Sequence, residues 1–376
     1  MDWEAGKIPG LFDSVERPKI LISRTDRIGD VVLSLPVARA LKSVNPQALV
    51  HFLVREQTAP VIENQSGIDG TVIYQDGERG AELLGSHLAE TRYDAVLCLY
   101  PRPALAWAFF RAKIPVRIGT ARRWYSFLFT HRVNVSRRSS GRHEKDLNLD
   151  LLRPLGIDPD YALVPELNLQ PAGNAVTELL PEIEGNGRPV AVIHPGDGGS
   201  AANWPLARYA ALAGRLSEAN IDVIITGLAS EKDRHYAAFG GFLGKERILT
   251  GHTSLRELLA VLARADIFIG GSTGPLHLAA ALGTPVVGLY GPIRTTTPDR
   301  WGPCGRGHIV LTPDVPVCRC AVGRCKFGNC MERITLETVY SACVQILDRA
   351  GRDSFVCPPN KRHPASDLTP RGGLCQ

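Results

Sequence analysis

Short apolar runs alternate with amphipathic stretches along most of this chain, and each run is of strand rather than helix length. KILIS (19–23) is followed by a segment that is apolar at helical spacing from Ile28 to Leu41, then by ALVHFLV (48–54) and, after further helical sequence, by YDAVLCLY (93–100). Runs that are apolar throughout mark strands buried on both faces, as in a parallel sheet flanked by helices. A second series starts at RPVAVIHPG (188–196). It continues through the helix WPLARYAALAGRLSEAN, the strand IDVIITG, a helix near 230–242, a short strand RILT, the helix SLRELLAVLARA and the segment DIFIGGSTGPLHLAAALGTPVVGLYGP (266–292). The repeated β/α order predicts an α/β fold with two doubly wound, Rossmann-like domains facing across a cleft.

We place the linker near 165–185, giving an N-terminal domain over 1–170, a C-terminal domain over 171–355 and a flexible tail over 356–376, where Pro, Gly and charge accumulate. With 376 residues, 44% of them hydrophobic, the chain can build two ordinary cores. No apolar run reaches membrane-span length, and the first residues lack the apolar centre of a secretory signal, so the expected location is cytoplasmic.

Each half carries loops that follow a strand and open a helix, the place where free backbone N–H groups meet anions. In the C-terminal half these are Asp197, Gly198, Gly199 and Ser200 after one strand, Glu231 after the next, and Ser272, Thr273 and Gly274 with His277 after a third. Ser272 or Thr273 is suited to cap a helix, Pro275 to its first turn, and Glu231 to a ribose diol or other sugar hydroxyls. The loops match neither the phosphate loop G-x4-G-K-[ST] nor the fingerprint G-x-G-x-x-G. Together they predict a nucleotide site.

From the N-terminal half, Arg24-Thr25-Asp26-Arg27-Ile28-Gly29-Asp30 leads into a helix. Asp30 is placed either to act as a base or to cap that helix, and Arg24 and Arg27 either to bind acidic groups of an acceptor or to pair with Asp26 and Asp30.

The overall charge of +5 is too mild to imply nucleic acid. Its distribution matters more. Arg102, Arg111, Lys113, Arg117, Arg122, Arg123, Arg132, Arg137, Arg138, Arg142 and Lys145 are interleaved with Trp107, Trp124, Tyr125, Phe127 and Phe129. This region suits a phosphorylated sugar, anionic lipid headgroups or nucleic acid, or is a solvated basic surface. Among nine cysteines, Cys318, Cys320, Cys325 and Cys330 cluster with the spacing C-x-C-x4-C-x4-C, a zinc candidate or a set of reduced thiols.

RTDRIGDVVLSLPVARAL, HPGDGGSAANWP, ITGLASE and GGSTGPLHLAAALGTPVVGLYGP, in this order, resemble the ADP-heptose lipopolysaccharide heptosyltransferases, glycosyltransferase family 9, over roughly residues 19–345. The segment from Cys318 to Cys330 with Met331-Glu332-Arg333-Ile334, and the pair His143-Glu144, are similar to elements of some members. The resemblance implies a GT-B fold with donor bound in the C-terminal domain and a lipopolysaccharide-core acceptor in the N-terminal domain. It further implies metal-independent, inverting transfer and no cofactor beyond the nucleotide-diphosphate sugar. The basic segment 102–145 is expected to hold acidic acceptor groups and to rest against the anionic inner face of the membrane, and no nucleic-acid partner is expected. Asp30 takes the position of the general base, the 197–200 and 272–274 loops with His277 and Glu231 the donor side, and Arg24, Arg27, Arg122 and Arg123 the acceptor side. Two positions depart from the pattern: Ala202 stands where many members carry a basic residue, and Ser272 where Asp is frequent. The competing readings are a sugar-nucleotide epimerase of the same architecture and a non-catalytic nucleotide-sugar-binding protein.

Overall fold

The structure is a computed structural model that describes residues 11–137, 141–169, 180–181, 183, 186–196, 202–320 and 329–353. Among these residues eleven strands form two all-parallel sheets. The first has the order β3-β2-β1-β4-β5-β6, built from β1 (Lys19–Ser23), β2 (Leu49–Arg55), β3 (Gly70–Tyr74), β4 (Ala95–Cys98), β5 (Val116–Thr120) and β6 (His131–Val133). The second runs β11-β10-β9-β7-β8, from β7 (Val190–His194), β8 (Asp222–Ile225), β9 (Ile267–Gly271), β10 (Val286–Leu289) and β11 (Ile309–Leu311). All of the first sheet lies within 1–170 and all of the second within 171–355. The expected boundary between them falls on residues outside those described, as does the tail 356–376.

The period of two along each strand sorts its side chains between layers. Ile20 and Ile22 of β1 and Val190 and Val192 of β7 enter one apolar cluster that is continuous across both halves of the chain. Leu21 faces a separate cluster on the far side of the first sheet, with Phe109 and Phe129, while Ala191 and Ile193 face another on the far side of the second, with Trp204 and Tyr209. The shared cluster is why the two sheets stand as a packed pair.

Three local expectations are revised. The apolar pattern from Ile28 to Leu41 is two helices, Ile28–Val32 and Leu35–Val44, because Pro36 enters the second at its first turn and Ser34 closes a separate turn with Val31 and Val37. RILT is not a strand: Ile248 makes a single bridge to Ile225. Strands β3, β5, β6 and β11 arise where no strand is expected, and β6 and β11 are three residues long and half-exposed.

In an open parallel sheet, ligands bind beyond the carboxyl ends of the strands where the order reverses. The reversals lie between β1 and β4 in the first sheet and between β7 and β9 in the second. The loops after β1, β7 and β9 are therefore the ones that matter.

Candidate active site

The loop after β1 and the loop after β9 meet face to face. A cleft of about 220 Å³ is lined by Arg27, Gly29 and Asp30 from the first half and by Ser272, Thr273, Gly274, His277, Thr295, Thr296 and Trp301 from the second. The two walls approach closely at glycines. A Cβ on Gly29 would stand 2.8 Å from His277 Cδ2, and one on Gly274 would stand 3.0 Å from Ile28 Cβ. Small residues on both walls let the helices Ile28–Val32 and Gly274–Ala281 touch.

Asp30 lies in the first turn of Ile28–Val32, but Arg27 is the N-cap residue, so Asp30 does not cap the helix. Its side chain is 15% exposed at the cleft and accepts an ion-paired hydrogen bond from Arg24 Nη2. Arg24 is itself buried. It also donates to Asp26 Oδ1 (2.8 Å), Asn148 Oδ1 (3.0 Å) and Glu144 Oε1 (3.3 Å). The expectation that Arg24 holds an acceptor anion gives way here: every arm of its guanidinium is taken by the protein. Arg27, by contrast, reaches the cleft wall.

Glu144, 1% exposed, is the carboxylate that balances this cluster. It takes Arg137 Nε at 2.7 Å and, across the two halves, Arg300 Nη2 at 3.1 Å. Burial alone would raise its pKa, but Arg24, Arg137 and Arg300 bring it down to about 2. Asp26, Asp30 and Glu144 together outweigh the burial of Arg24 and hold it above the ordinary arginine value. Asp26 goes the other way: burial, helped by repulsion from Asp30, lifts it to about 7 against the pull of Arg24. Next to Glu144, His143 caps the helix Glu144–Leu149. Its Nδ1 accepts from the Lys145 N–H (3.2 Å), so Nε2–H is the donor to Gly302 O (3.0 Å), a second link between the halves.

On the opposite wall, Thr273 is the N-cap of Gly274–Ala281, yet neither it nor Ser272 caps with its side chain. The Thr273 hydroxyl turns back to Gly271 O (3.3 Å), leaving the amides of the first turn open toward the cleft. His277 is buried, its Nδ1 has no protein partner among the described residues, and burial pushes its pKa down to about 3, so the ring is neutral. Trp301 stands edge-on to it, 6.4 Å between centroids, and is fixed by Nε1–H donating to Thr295 O (2.9 Å).

Glu231 is nearly buried on the turn after β8. It accepts from the Leu228 N–H (2.9 Å) and from Arg234 (3.3 Å). A Cβ on Gly196, in the loop after β7, would lie 2.4 Å from Oε2, so the carboxylate spans the loops after β7 and β8. Asp197, Gly198, Gly199 and Ser200 lie outside the described residues. Arg122 and Arg123 are exposed just beyond β5, Arg122 donating to Asn134 Oδ1 (2.8 Å), and neither lines the cleft of Asp30.

Cys318, Cys320 and Cys330 share the wall of a different hollow of about 780 Å³, and Cys325 lies outside the described residues. Among the described residues no three His, Cys, Asp or Glu side chains are gathered to hold a metal ion. No helix among them is long and apolar enough to cross a membrane.

Sequence reasoning missed Thr295, Thr296 and Trp301, and it gave no place to Arg300 as a partner of Glu144. The signal available for them was local: TTTPDRW puts a Pro-started helical turn in the segment that follows β10, beyond the same sheet edge as the loop after β9.

Comparison with known proteins finds relatives over most of the chain. The profile of Glycosyltransferase family 9 (heptosyltransferase) matches residues 82–330. A Haemophilus influenzae protein named "Putative glycosyltransferase" is 30% identical over 78% of this chain and 89% of its own length. Lipopolysaccharide heptosyltransferase 2 of Salmonella typhimurium is 26% identical over 75% of this chain and 84% of its own. The solved structure of Escherichia coli ADP-heptose lps heptosyltransferase II superposes with a TM-score of 0.73 at 22% identity, covering 89% of this chain and 99% of that one.

Proposed function

The chain belongs to glycosyltransferase family 9, and from that premise we propose that it transfers a heptose from ADP-heptose to a lipopolysaccharide-core acceptor, with inversion and without a metal. The observation that carries this reading is the pairing of Asp30 with the open helix start at Thr273–Gly274 in one cleft. An acceptor hydroxyl must lose a proton as it attacks the anomeric carbon, and Asp30 is the carboxylate presented for it. The departing diphosphate gathers charge that the first-turn amides at Gly274, with the loop from Asp197 to Ser200, are suited to spread. A retaining double displacement needs a second carboxylate as nucleophile. Asp30 is the one carboxylate among the described lining residues, which favours a single in-line displacement.

In this reading Glu231 holds the ribose, Ser272 and His277 support the donor phosphates, and Arg27 meets an acidic group of the acceptor near the base. Arg122 and Arg123 meet acceptor groups farther from the reacting atoms. The enzyme would work on the cytoplasmic side of a membrane that holds its acceptor. The epimerase reading is disfavoured, since the family and the relatives named above are transferases and an epimerase needs acid and base on both faces of one sugar.

The experiment is an assay of purified protein with ADP-heptose, with and without a core acceptor, reading ADP release and the anomeric configuration of the product. Acceptor-dependent release with an inverted linkage is expected. Sugar isomerisation without acceptor, or retained configuration, would refute the reading. Thermal shifts with ADP, UDP and GDP test the nucleotide, since a ligand that binds only the folded state raises the melting temperature.

A further inference from the structure

The stretch from residue 95 to residue 143 contains neither Asp nor Glu, while Arg and Lys recur throughout it. Its described residues form β4, the helix Pro103–Arg111, β5, the turn Ser126–Leu128 and β6. The helix buries Leu105, Ala106 and Phe109 and leaves Trp107 and Phe110 outside, 47% and 45% exposed. The loop after β5 buries Tyr125, Leu128 and Phe129 but leaves Trp124 80% and Phe127 66% exposed. A contiguous exposed apolar patch rimmed by polar residues marks an interaction site, whereas single exposed side chains do not.

These four side chains belong to one rigid platform. Trp107 stacks on Phe110, 5.7 Å between centroids. Arg117 lies over Phe110 at 5.5 Å and bonds both to Ile114 O and to Leu128 O (2.8 Å), tying the end of the helix to the loop that carries Phe127. Tyr125, edge-on to Trp124, donates its hydroxyl to Pro101 O (2.7 Å) just ahead of the helix. Around them Arg111, Lys113, Arg122 and Arg123 are exposed and have no carboxylate partner among the described residues. The platform follows β4 and β5, and β4 is the immediate neighbour of β1 in register, Ser23 opposite Cys98. It starts at the carboxyl ends of β4 and β5, the sheet edge that carries the Asp30 loop, where Tyr125 meets Pro101, and runs back along the sheet to the amino end of β5, where Arg117 holds Phe110 and Leu128.

Tryptophan, with an apolar body and a polar N–H, settles at the headgroup level of a bilayer, phenylalanine beside it adds apolar area that inserts, and neighbouring cations are drawn to anionic lipid. We propose that Trp107, Phe110, Trp124 and Phe127, ringed by arginine and lysine without carboxylate partners, form an anchor that docks the half of the protein carrying Asp30 on an anionic bilayer surface. The inference rests on the reading above that the acceptor is membrane-borne. Docking there would hold the protein at the surface that carries a lipid-linked acceptor.

The test is flotation of the full chain with vesicles of phosphatidylcholine alone and of phosphatidylcholine containing phosphatidylglycerol. Wild-type protein is expected to float with the anionic vesicles, to be released by salt, and to bind neutral vesicles poorly. Trp124→Ser with Phe127→Ser should lower anionic-vesicle partitioning by on the order of tenfold, with an unchanged melting temperature and unchanged transfer to an acceptor stripped of its lipid. Quenching of tryptophan emission by brominated lipids should follow the same pattern. Variant partitioning equal to wild type, or wild-type binding that ignores lipid charge, would overturn the proposal. So would self-association of the wild type that the double variant abolishes while no vesicle binding is seen, an outcome that would give the platform to a second copy. Loss of the transferase reading is distinguishable: vesicle binding would persist with no transfer to any acceptor.

Discussion

Arg300 donates to Glu144 at 3.1 Å across the two halves of the chain, and Glu144 in turn grips Arg24, the residue that holds Asp30. A contact between lobes is thus two side chains away from the carboxylate assigned to proton abstraction. His143 reinforces it through Gly302 O at 3.0 Å.

Glu144→Ala should leave Arg24, Arg137 and Arg300 facing one another without their shared counter-charge. Removing one partner of a buried ion pair costs about 3–5 kcal/mol, and denaturant unfolding should read a loss of that order. Glu144→Gln, which keeps an acceptor oxygen, should lose less. Equal stability of Glu144→Ala and wild type would show that the cluster is not held by this carboxylate.

Asp30→Asn should lower turnover by on the order of 10²–10⁴, the contribution of a positioned base, while ADP binds with nearly unchanged affinity. Calorimetry and single-turnover rates separate the two effects. A loss confined to nucleotide affinity would move Asp30 from the acceptor side to the donor side.

Glu231→Ala should weaken ADP binding about tenfold to a hundredfold, the range for hydrogen bonds to a charged group, with less effect on the rate at saturating donor. Its carboxylate already lies against Gly196 and Gly227, so Gly196→Ala should reproduce part of the defect by displacing it. An unaltered dissociation constant in both variants would take Glu231 out of the site.

Gly29→Ala should be felt out of proportion to its size. The added methyl would stand 2.8 Å from His277 Cδ2, and overpacking of this kind costs roughly 1–3 kcal/mol. The helix that carries Asp30 should be pushed off its partner, giving a lower melting temperature together with a lower rate. Full activity and stability would mean that the two walls stand apart in solution.

Acidification should destabilise the fold below neutral pH. Burial depresses His194 and His235 to about 4 and His277 to about 3, from 6.5. Their contribution is complete above pH 6.5 and is lost as pH falls toward those folded values, because the unfolded chain binds the protons first. Asp26 has the opposite sign. Raised from 3.8 to about 7, its contribution is present below 3.8 and lost as pH rises through 7. The histidines outnumber it, so the melting temperature should fall between pH 7 and pH 5, and a flat profile would contradict their burial in neutral form.

Much of the architecture was legible because burial on both faces leaves its mark on sequence: KILIS, VAVIH and IFIGG each hold a run of consecutive apolar residues and became β1, β7 and β9. The edge strands β6 and β11 were not, since a half-exposed three-residue strand has no such mark. In the site, Asp30 and Ser272–Gly274 were legible from glycine-bearing turns at helix starts. The destiny of Arg24 was not. Whether an arginine near Asp26 and Asp30 faces solvent or is enclosed depends on Glu144 and Asn148, more than a hundred residues away. Arg300 escaped notice for the same reason, being joined to the site only by the packing of two sheets. The platform at Trp107 and Trp124 was legible in composition but not in shape.

Position 24 tolerates no near equivalent. The guanidinium there is a planar fork that reaches Asp26, Asp30, Glu144 and Asn148 at once, and an ammonium on a single flexible stem has the charge without the span. Lysine would satisfy one side of the cluster and abandon another, so two residues usually treated as interchangeable are here different parts.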